Sequence, residues 1–405
     1  MNTGEQRTGP SYERLLLICC SATFVCYCGS YMRIPVVPLY AKLLGANTVD
    51  VGVINSTFLL VAGLFSLPLG LVSDRVGRKL LILCGLLTIG GTSLLLSLAS
   101  SARQIALIYF LFGVGVASFG PTMMSFVADF SPSTHLGRSY GWYTLAIYGG
   151  MSLGPAAGGG IAQLLGYKPV FIFAGVLLLV LAVIVFFILP RARHVLVNRP
   201  PRRPAIDIMR GLLRNPSVLT CWLVTIGGFM GFGMFITFIP LYGQNRGLHI
   251  GQIGIVFAAQ AVSNALSRIP FGRLSDYVSH RSNLVTAGFI CYAAALAGFG
   301  FAVNLAWFVL FAVVTGAGMG LAFTAVGALI AEVVEPGSRG IAMGGYNSSI
   351  YFGMMLGALV MGAVIRSIGY PHAFFIIAGI NLAVTAVFTL VFNFTRARAR
   401  SEAPV

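Results

Sequence analysis

Apolar residues occur along this chain in long runs, and polar residues are mostly confined to the short stretches between the runs. Each run is about 20 residues long, which is the length of helix that crosses the hydrocarbon core of a bilayer. The runs do not alternate apolar with polar residues as barrel strands do, so they predict helices. We predict twelve spans, at residues 14–40, 50–70, 80–99, 104–128, 140–163, 169–190, 217–242, 252–271, 284–303, 305–331, 341–365 and 372–394.

The composition agrees with this pattern. Of the 405 residues, 57% are hydrophobic and only 9% are charged, which is less charge than a soluble surface needs. The first apolar run starts near Leu15 and is too long for the core of a secretory signal, so we expect no cleaved signal. The predicted fold class is an all-α polytopic membrane protein, with the lipid bilayer as its surroundings.

The net charge of +16 reflects topology more than a nucleic-acid partner, because the basic residues are scattered over short loops and form no stripe. Nineteen of the 26 Lys and Arg residues fall on the side that holds both termini, counting Arg14 at the very start of the first span; five fall on the other side, and two lie in the interior of spans. This bias predicts cytoplasmic termini. A short, acid-poor chain is typical of a multi-pass protein of a prokaryotic inner membrane.

The residue types that carry catalysis or metal binding are poorly placed in this sequence. All seven cysteines lie in apolar spans, the spacing Cys26-Tyr27-Cys28 is too short for zinc, and no histidine lies in the interior of a span. The chain has no nucleotide-phosphate loop and no nucleophile elbow. We therefore expect no enzyme, no metal and no cofactor, and no use of ATP as an energy source.

The second half of the sequence repeats the first at an offset of 202 or 203 residues. The matching pairs are Pro38 with Pro240, Tyr40 with Tyr242, Pro68 with Pro270, Asp74 with Asp276, Gly113 with Gly316, Tyr148 with Tyr351 and Gly166 with Gly369. Because each repeat holds six spans, both copies have the same orientation, as in transporters with parallel repeats about the membrane normal. The predicted organisation is a six-helix half at 1–190, a basic linker at 191–216, a second six-helix half at 217–394 and a tail at 395–405.

The loop after the second span, GLVSDRVGRK, resembles the signature loop of the major facilitator superfamily, G-x-x-x-D-R-x-G-R-K. The matching residues are Gly70, Asp74, Arg75, Gly77, Arg78 and Lys79. Together with the repeat, this resemblance implies the twelve-helix major facilitator fold over nearly the whole chain.

In that family the loop is a gating latch. The resemblance implies that Asp74 faces the positive end of a helix dipole in the other half, and that Arg78 pairs with Asp129 at the end of span four. The equivalents in the second half are Asp276 and Glu332. The alternative is that the basic residues only hold the loop in the cytoplasm.

Span five carries glycines at a helical spacing. Gly150, Gly154 and Gly158 are four residues apart and share one face, which lets another helix approach closely. Pro155 removes a backbone hydrogen bond, so we expect a bend there.

The full pattern in span five resembles the antiporter signature of this superfamily, G-x8-G-x3-G-P-x2-G-G, which its drug:proton antiporters share. Its residues here are Gly141, Gly150, Gly154, Pro155, Gly158 and Gly159. The second half keeps four of these glycines, as Gly344, Gly353, Gly357 and Gly362, but has Ala358 in place of the proline. The resemblance implies proton-coupled efflux of small amphipathic organic compounds.

Arg33 is a candidate functional residue that the prediction of proton-coupled efflux does not explain. None of the ten acids lies near the middle of a span, whereas Arg33 lies within span one. A charge in a span is costly and marks a candidate functional site. Arg33 either faces the central cavity, where its guanidinium would bind carboxylate or phosphate, or snorkels outward. In the family, span four often has an arginine where Tyr109 stands here, so a proton-transfer role is not carried over. The alternative function is therefore an importer or exchanger of a small organic anion.

Spans one, four, seven and ten surround the cavity in this family. The further candidate substrate contacts are Phe119, Met123, Phe232, Phe235, Gln260 and Asn264. Span eight has three polar residues on one face, Gln260, Asn264 and Arg268. They either line the transport path or form hydrogen bonds between helices. We expect a small-molecule substrate, protons as the coupling ion and a monomer. A non-transporting sensor is the third alternative.

Overall fold

Helices make up almost all of the computed structural model, which describes residues 12–190, 205–278, 280–335 and 338–401. The helices are α1 (Tyr12–Met32), α2 (Val36–Leu43), α3 (Thr48–Val76), α4 (Arg78–Leu98), α5 (Ala102–Phe130), α6 (Leu136–Leu165), α7 (Tyr167–Ile188), α8 (Ala205–Leu213), α9 (Pro216–Asn245), α10 (Ile250–Tyr277), α11 (Arg281–Phe301), α12 (Leu305–Val333) and α13 (Arg339–Ser401).

Ten helical stretches of the described chain are long and apolar enough to cross a membrane. One of them is α13, whose backbone leaves the helical conformation at Gly369, with φ of 81°, and which therefore forms two spanning limbs. The 30-residue α6 supplies the remaining span. The predicted fold class is confirmed, with twelve transmembrane helices in two halves.

The linker and the tail are partly helical. Within the predicted linker, α8 covers Ala205–Leu213, while residues 191–204 lie outside the described chain. The last helix continues to Ser401, so the predicted tail begins as a helix, and residues 402–405 lie outside the description. We call the end of the bundle near α8 the linker end, and the other end the far end.

The internal repeat is visible in bonds as well as in sequence. Tyr40 donates a hydrogen bond from its hydroxyl to the carbonyl of Ala99, at 2.6 Å, and Tyr242 donates in the same way to Ala302, at 3.3 Å. All four residues are buried. In each half, this bond joins the far end of the first span to the end of the third span. The two halves therefore share the same internal architecture.

The glycines of α6 form the surface on which α1 packs. A methyl group added at Gly150 or Gly154 would lie 2.5 Å from the carbonyl oxygens of Phe24 and Cys28, respectively. At Gly158 an added methyl would overlap the backbone of Met32. Only hydrogen side chains permit this contact, which is how small residues bring membrane helices together.

The two halves meet along two seams, α3 with α13 and α6 with α10. Near the far end, a methyl group at Gly52 would lie 2.5 Å from the carbonyl oxygen of Ala358, and one at Gly254 would lie 2.6 Å from that of Pro155. Pro155 therefore stands at a seam, and its repeat equivalent Ala358 stands at the other. Gly159 also faces α10.

Polar contacts join the halves at the far end too. Thr48 donates from Oγ1 to the carbonyl oxygen of Gly362, at 2.9 Å. Lys42 donates from Nζ to Oε1 of Gln244, at 3.2 Å. The far end is therefore closed.

The linker end is open by comparison. Several glycines in the linker-end portions of the seam helices would have no heavy atom within 4 Å of an added methyl group; they are Gly70, Gly141, Gly272 and Gly344. The halves are thus joined at the far end and separate towards the linker end.

Candidate functional site

A central cavity of about 270 Å³ lies between the two halves. Its wall is formed by α1, α3, α4, α5, α6, α9 and α13. Two of the predicted substrate contacts, Phe119 and Phe232, line it. No carboxylate occurs among the described residues of this wall, which is dominated by aromatic and aliphatic side chains with a few polar ones such as Ser30 and Asn347. The cavity therefore offers apolar contacts and scattered hydrogen-bonding groups.

Four tyrosines are the main cavity residues that the sequence did not single out as substrate contacts. Tyr27 and Tyr31 stand one turn apart on α1, with ring centroids 6.1 Å apart. Tyr148 of α6 and Tyr351 of α13 line the cavity at repeat-equivalent positions. The repeat had already paired the last two, but the sequence did not show that α6 and α13, each at one of the two seams, turn these tyrosines towards the cavity. Each tyrosine combines an apolar ring with a polar tip, which suits an amphipathic ligand.

Arg33 lies at the break in the first span. Pro35 has no backbone N–H, and the helix resumes at Val36. The N–H groups of Val36 and Val37 both donate to the carbonyl oxygen of Arg33, at 3.0 and 2.9 Å. The break thus fixes the backbone of Arg33 between α1 and α2.

The side chain of Arg33 is fully buried in the first half and does not line the cavity. Its Nη1 donates to Oγ of Ser93 at 3.2 Å, and its Cζ lies 3.3 Å from the ring centroid of Phe112 and 5.8 Å from that of Tyr109. Within the described chain, Nε and Nη2 make no hydrogen bond. Phe112 does line the cavity, so its ring connects the buried cation with the substrate space.

The second half shows that this cation is a local addition. At the positions equivalent to Arg33, Ser93 and Phe112 stand Phe235, Leu296 and Thr315, all fully buried. The same packing is therefore achieved there without a charge. A cation–π contact is worth about 2 kcal/mol when desolvated, which offsets only part of the cost of burying a charge.

The structure does not bring the other four predicted contacts to the cavity wall. Met123 and Phe235 are fully buried, and the ring centroid of Phe235 lies 5.1 Å from that of Phe257 in its own half. Gln260 donates from Nε2 to Sδ of Met319 on α12, at 3.5 Å. Asn264 accepts at Oδ1 from Nε of Arg268, at 3.0 Å. In this conformation the polar stripe of α10 therefore makes interhelical and intrahelical bonds.

The loop after α3 places its basic residue beside an acid. Gly77 has φ of 102°, a left-handed conformation that favours glycine. Arg78 donates from Nη2 to Oδ1 of Asp129, at 3.0 Å, and its Nε also contacts this carboxylate. In the second half, Nη1 of Arg281 lies 3.3 Å from Oε2 of Glu332. Each pair joins the start of a half's third span to the end of its fourth.

The remaining latch residues are less informative. Arg75 is exposed at the linker end. The side chains of Asp74 and Asp276 lie outside the described part of the structure, so their predicted contacts with the opposite half stay predictions.

Comparison with known proteins agrees with this geometry. The family model described as Major Facilitator Superfamily matches residues 19–251 and 243–405. An uncharacterised MFS-type transporter of Methanocaldococcus jannaschii is 26% identical, over 89% of this chain and 94% of that protein. The multidrug resistance protein MdtG of Citrobacter koseri is 27% identical, over 97% of each chain.

Solved structures share the fold at lower identity. A bacterial homologue of the human lysosomal transporter Spinster, in an inward-facing and unoccupied conformation, superimposes with a TM-score of 0.78 at 16% identity, over 95% of this chain and 96% of that one. The nucleoside transporter NupG gives a TM-score of 0.77 at 16% identity, over 93% of this chain and 100% of that one. The protein belongs to the major facilitator superfamily and is a multi-pass membrane transporter.

Proposed function

We propose that the protein is a secondary active exporter that moves small amphipathic organic compounds out of the cell by alternating access. The observation that carries this proposal is the central cavity, whose tyrosines, Phe119 and Phe232 surround a space without a described carboxylate. Such a wall favours ligands with an apolar body and a few hydrogen-bonding groups over compact ions. The likeness to a multidrug resistance protein supports the same class of substrate.

The orientation inferred from the loop charges supports loading from the cytoplasm. If both termini are cytoplasmic, as the distribution of Lys and Arg predicts, the linker end is cytoplasmic and the far end faces outward. The halves are joined at the far end, so this conformation would receive substrate from inside the cell. We place the protein in the inner membrane because a short, acid-poor chain is typical of prokaryotic multi-pass proteins there.

Protons are the proposed coupling ion, on the strength of the antiporter-like glycine and proline pattern of α6. Pro155 of that pattern stands at the seam with α10, where the halves must separate when the far end opens. This position supports a role in the conformational change. The described cavity wall contains no carboxylate to carry the proton, so the proton site belongs to another group.

The experiment uses everted membrane vesicles that contain the protein and a pH-sensitive dye. Neutral amphipathic compounds, lipophilic cations and organic anions are added one at a time. We expect neutral amphipathic compounds to trigger proton movement, and vesicles without the protein to stay silent. Silence with all three classes in protein-containing vesicles would overturn proton-coupled efflux.

A second candidate is import or exchange of a small organic anion. The observation that favours it is the guanidinium of Arg33 against Phe112, which places a positive charge one ring away from the cavity. The test is uptake of labelled organic anions by intact cells. Uptake that Arg33→Ala abolishes and Arg33→Lys retains would support the anion carrier, and uptake insensitive to both would eliminate it.

A further inference from the structure

A second cavity, of about 380 Å³, lies at the seam between α3 and α13, and we call it the lateral groove. Leu60 and Leu64 form its wall on α3, and Phe352 forms its wall on α13. Towards the linker end it is bounded by Met209 of α8 and Trp222 of α9. Trp222 is fixed by a hydrogen bond from Nε1 to the carbonyl oxygen of Ala342, at 3.1 Å.

The lateral groove and the central cavity share part of their walls. Leu59 and Tyr351 line both spaces, so these side chains are what separates them. An added methyl group at Gly63 would lie 3.1 Å from Cβ of Tyr351, which shows how closely α3 approaches this tyrosine. Rotation of a tyrosine ring or a leucine side chain is fast compared with the movement of the halves. The two spaces can therefore join without a change of the whole bundle.

The other seam, between α6 and α10, is built differently at the equivalent places. There the guanidinium of Arg268 lies 4.5 Å from the ring centroid of Tyr148, which is the repeat partner of Tyr351. The residue equivalent to Arg268 on α3 is Ser66, whose hydroxyl bonds back to its own helix at Ala62. The long side chain that covers the tyrosine at one seam is therefore missing at the other.

One further difference between the repeats widens the same seam. Ser348 lines the lateral groove on α13, and Leu145 stands at the equivalent position on α6. Gly345 stands where α6 has Trp142, but the ring of Trp222 fills that space. Ser348 thus leaves the groove open where the repeat would otherwise supply bulk, and Ser66 on α3 leaves Tyr351 uncovered.

We propose that the lateral groove is an entrance through which membrane-dissolved amphipathic compounds pass from the bilayer leaflet at the linker end into the central cavity, by way of Leu59 and Tyr351. The inference rests on the proposed export function and adds the route. The chemistry of the groove fits this role. A compound that enters an apolar passage from the bilayer loses contacts with lipid and gains equivalent contacts with protein, so the passage binds it only weakly. The tyrosine hydroxyl then meets the polar part of the compound at the inner end.

The test blocks the groove after folding, so that a folding defect cannot imitate the result. Leu64→Cys is purified, modified with a bulky reagent that attaches to the thiol through a mixed disulfide, and reconstituted into liposomes. Leu266→Cys is the matched control, because Leu266 is the repeat equivalent of Leu64 and is equally exposed, at 66% against 63%. The wild-type protein receives the same reagent, which accounts for its own exposed Cys84 and Cys291. The probe is a neutral naphthylamine dye that dissolves in lipid, and the readout is its initial rate of gradient-driven transport.

We expect the blocked Leu64→Cys protein to lose about tenfold in rate, a barrier increase of about 1.4 kcal/mol, and to recover when a reductant releases the reagent. The modified Leu266→Cys and wild-type proteins should keep their rates. Equal rates in both blocked variants, or equal losses in both, would overturn the entrance while export itself stands. No transport of the dye by unmodified wild-type protein would instead overturn the proposed function, and the entrance with it.

Discussion

The guanidinium carbon of Arg33 lies 3.3 Å from the ring centre of Phe112, and only the ring reaches the cavity. Arg33 is thus a buried cation that acts on the substrate space through an aromatic side chain. Arg33→Met removes the charge and keeps most of the apolar contact with Phe112. Because replacing a buried charge by a well-packed apolar group is often neutral or stabilising, we expect an unchanged or higher free energy of unfolding.

Arg33→Ala provides the contrast, since it removes the charge and also leaves space beside Phe112. We expect it to lower the free energy of unfolding by about 2 kcal/mol relative to Arg33→Met. Thermal unfolding of the purified protein in detergent measures both. A methionine variant that unfolds well below the wild-type protein would contradict this account, because it would mean that the charge itself is stabilising.

The packing of α6 on α1 predicts a sharp difference between two neighbouring glycines. Gly158→Ala places a methyl group into the backbone of Met32, so we expect a loss of about 1–3 kcal/mol in the free energy of unfolding. Gly160 lies in the same helix, and a methyl group added there by Gly160→Ala would have no heavy atom within 4 Å. The higher helix propensity of alanine should leave stability unchanged or raise it by up to about 1 kcal/mol. Thermal unfolding of the two variants side by side decides the matter, and equal effects would mean that α1 and α6 are not in close contact.

The far-end seams predict a mutation that changes conformation more than stability. A methyl group at Gly254 would lie 2.6 Å from the carbonyl oxygen of Pro155, across the two halves. We expect Gly254→Ala to disfavour closure of the far end. Disulfide formation between Lys42→Cys and Gln244→Cys, which replace a bonded pair across the halves, should then be slower.

Gly91→Ala is the control for that variant, because Gly91 lies in a spanning helix with nothing within 4 Å of an added methyl group. It should leave the cross-linking rate unchanged. If Gly254→Ala cross-links as fast as the control, the seam tolerates the methyl group and does not limit closure.

The ion pair of Arg78 with Asp129 predicts a transport defect that an exchange of charges repairs. Asp129 is about half exposed, so the pair contributes at most about 1 kcal/mol to stability. We expect Asp129→Asn to leave unfolding nearly unchanged and to slow transport, since this carboxylate holds the start of α4 against the end of α5. The double variant Arg78→Asp with Asp129→Arg should regain part of the rate in liposomes. No recovery in a protein that still folds would show that the loop needs these side chains in their native places.

The cavity predicts different outcomes for two phenylalanines of α9. Phe232 lines the cavity, whereas Phe235 is buried against Phe257 and Phe299. We expect Phe232→Ala to weaken substrate binding by about 1–3 kcal/mol. Because the ring of Phe232 also stacks on that of Phe235, we expect some loss of stability, but less than in Phe235→Ala. Phe235→Ala should instead cost about 3–5 kcal/mol of stability through the cavity it leaves. Ligand-induced quenching and thermal unfolding measured on both proteins separate the two effects, and identical profiles would remove the distinction.

The sequence was a sound guide to the fold because bilayer thickness sets helix length and because the repeat supplies each element twice. The family pattern located Arg78 beside Asp129, and glycine spacing located the surface of α6 on which α1 packs. These features depend on local geometry, which sequence spacing encodes.

Side-chain direction within the bundle was harder to predict. The stripe of Gln260 and Asn264 is equally compatible with a polar path and with a contact between α10 and α12, and hydropathy does not distinguish them. Arg33 was assigned to the cavity from its charge, but the break at Pro35 places it behind Phe112. The lateral groove could have been found from sequence by comparing the halves position by position, since Ser66 against Arg268 is visible there.

The equivalent hydrogen bonds of Tyr40 and Tyr242 bear on how the sequences of the two halves can diverge. A duplicated gene that keeps these bonds in both copies preserves two stable rigid bodies, and it leaves the remaining positions free to diverge separately. Arg33 against Phe235, and Ser66 against Arg268, are divergences of that kind. New selectivity can therefore arise by mutation in one copy while the other continues to supply the frame, so a search for altered substrate range should begin where the two copies disagree.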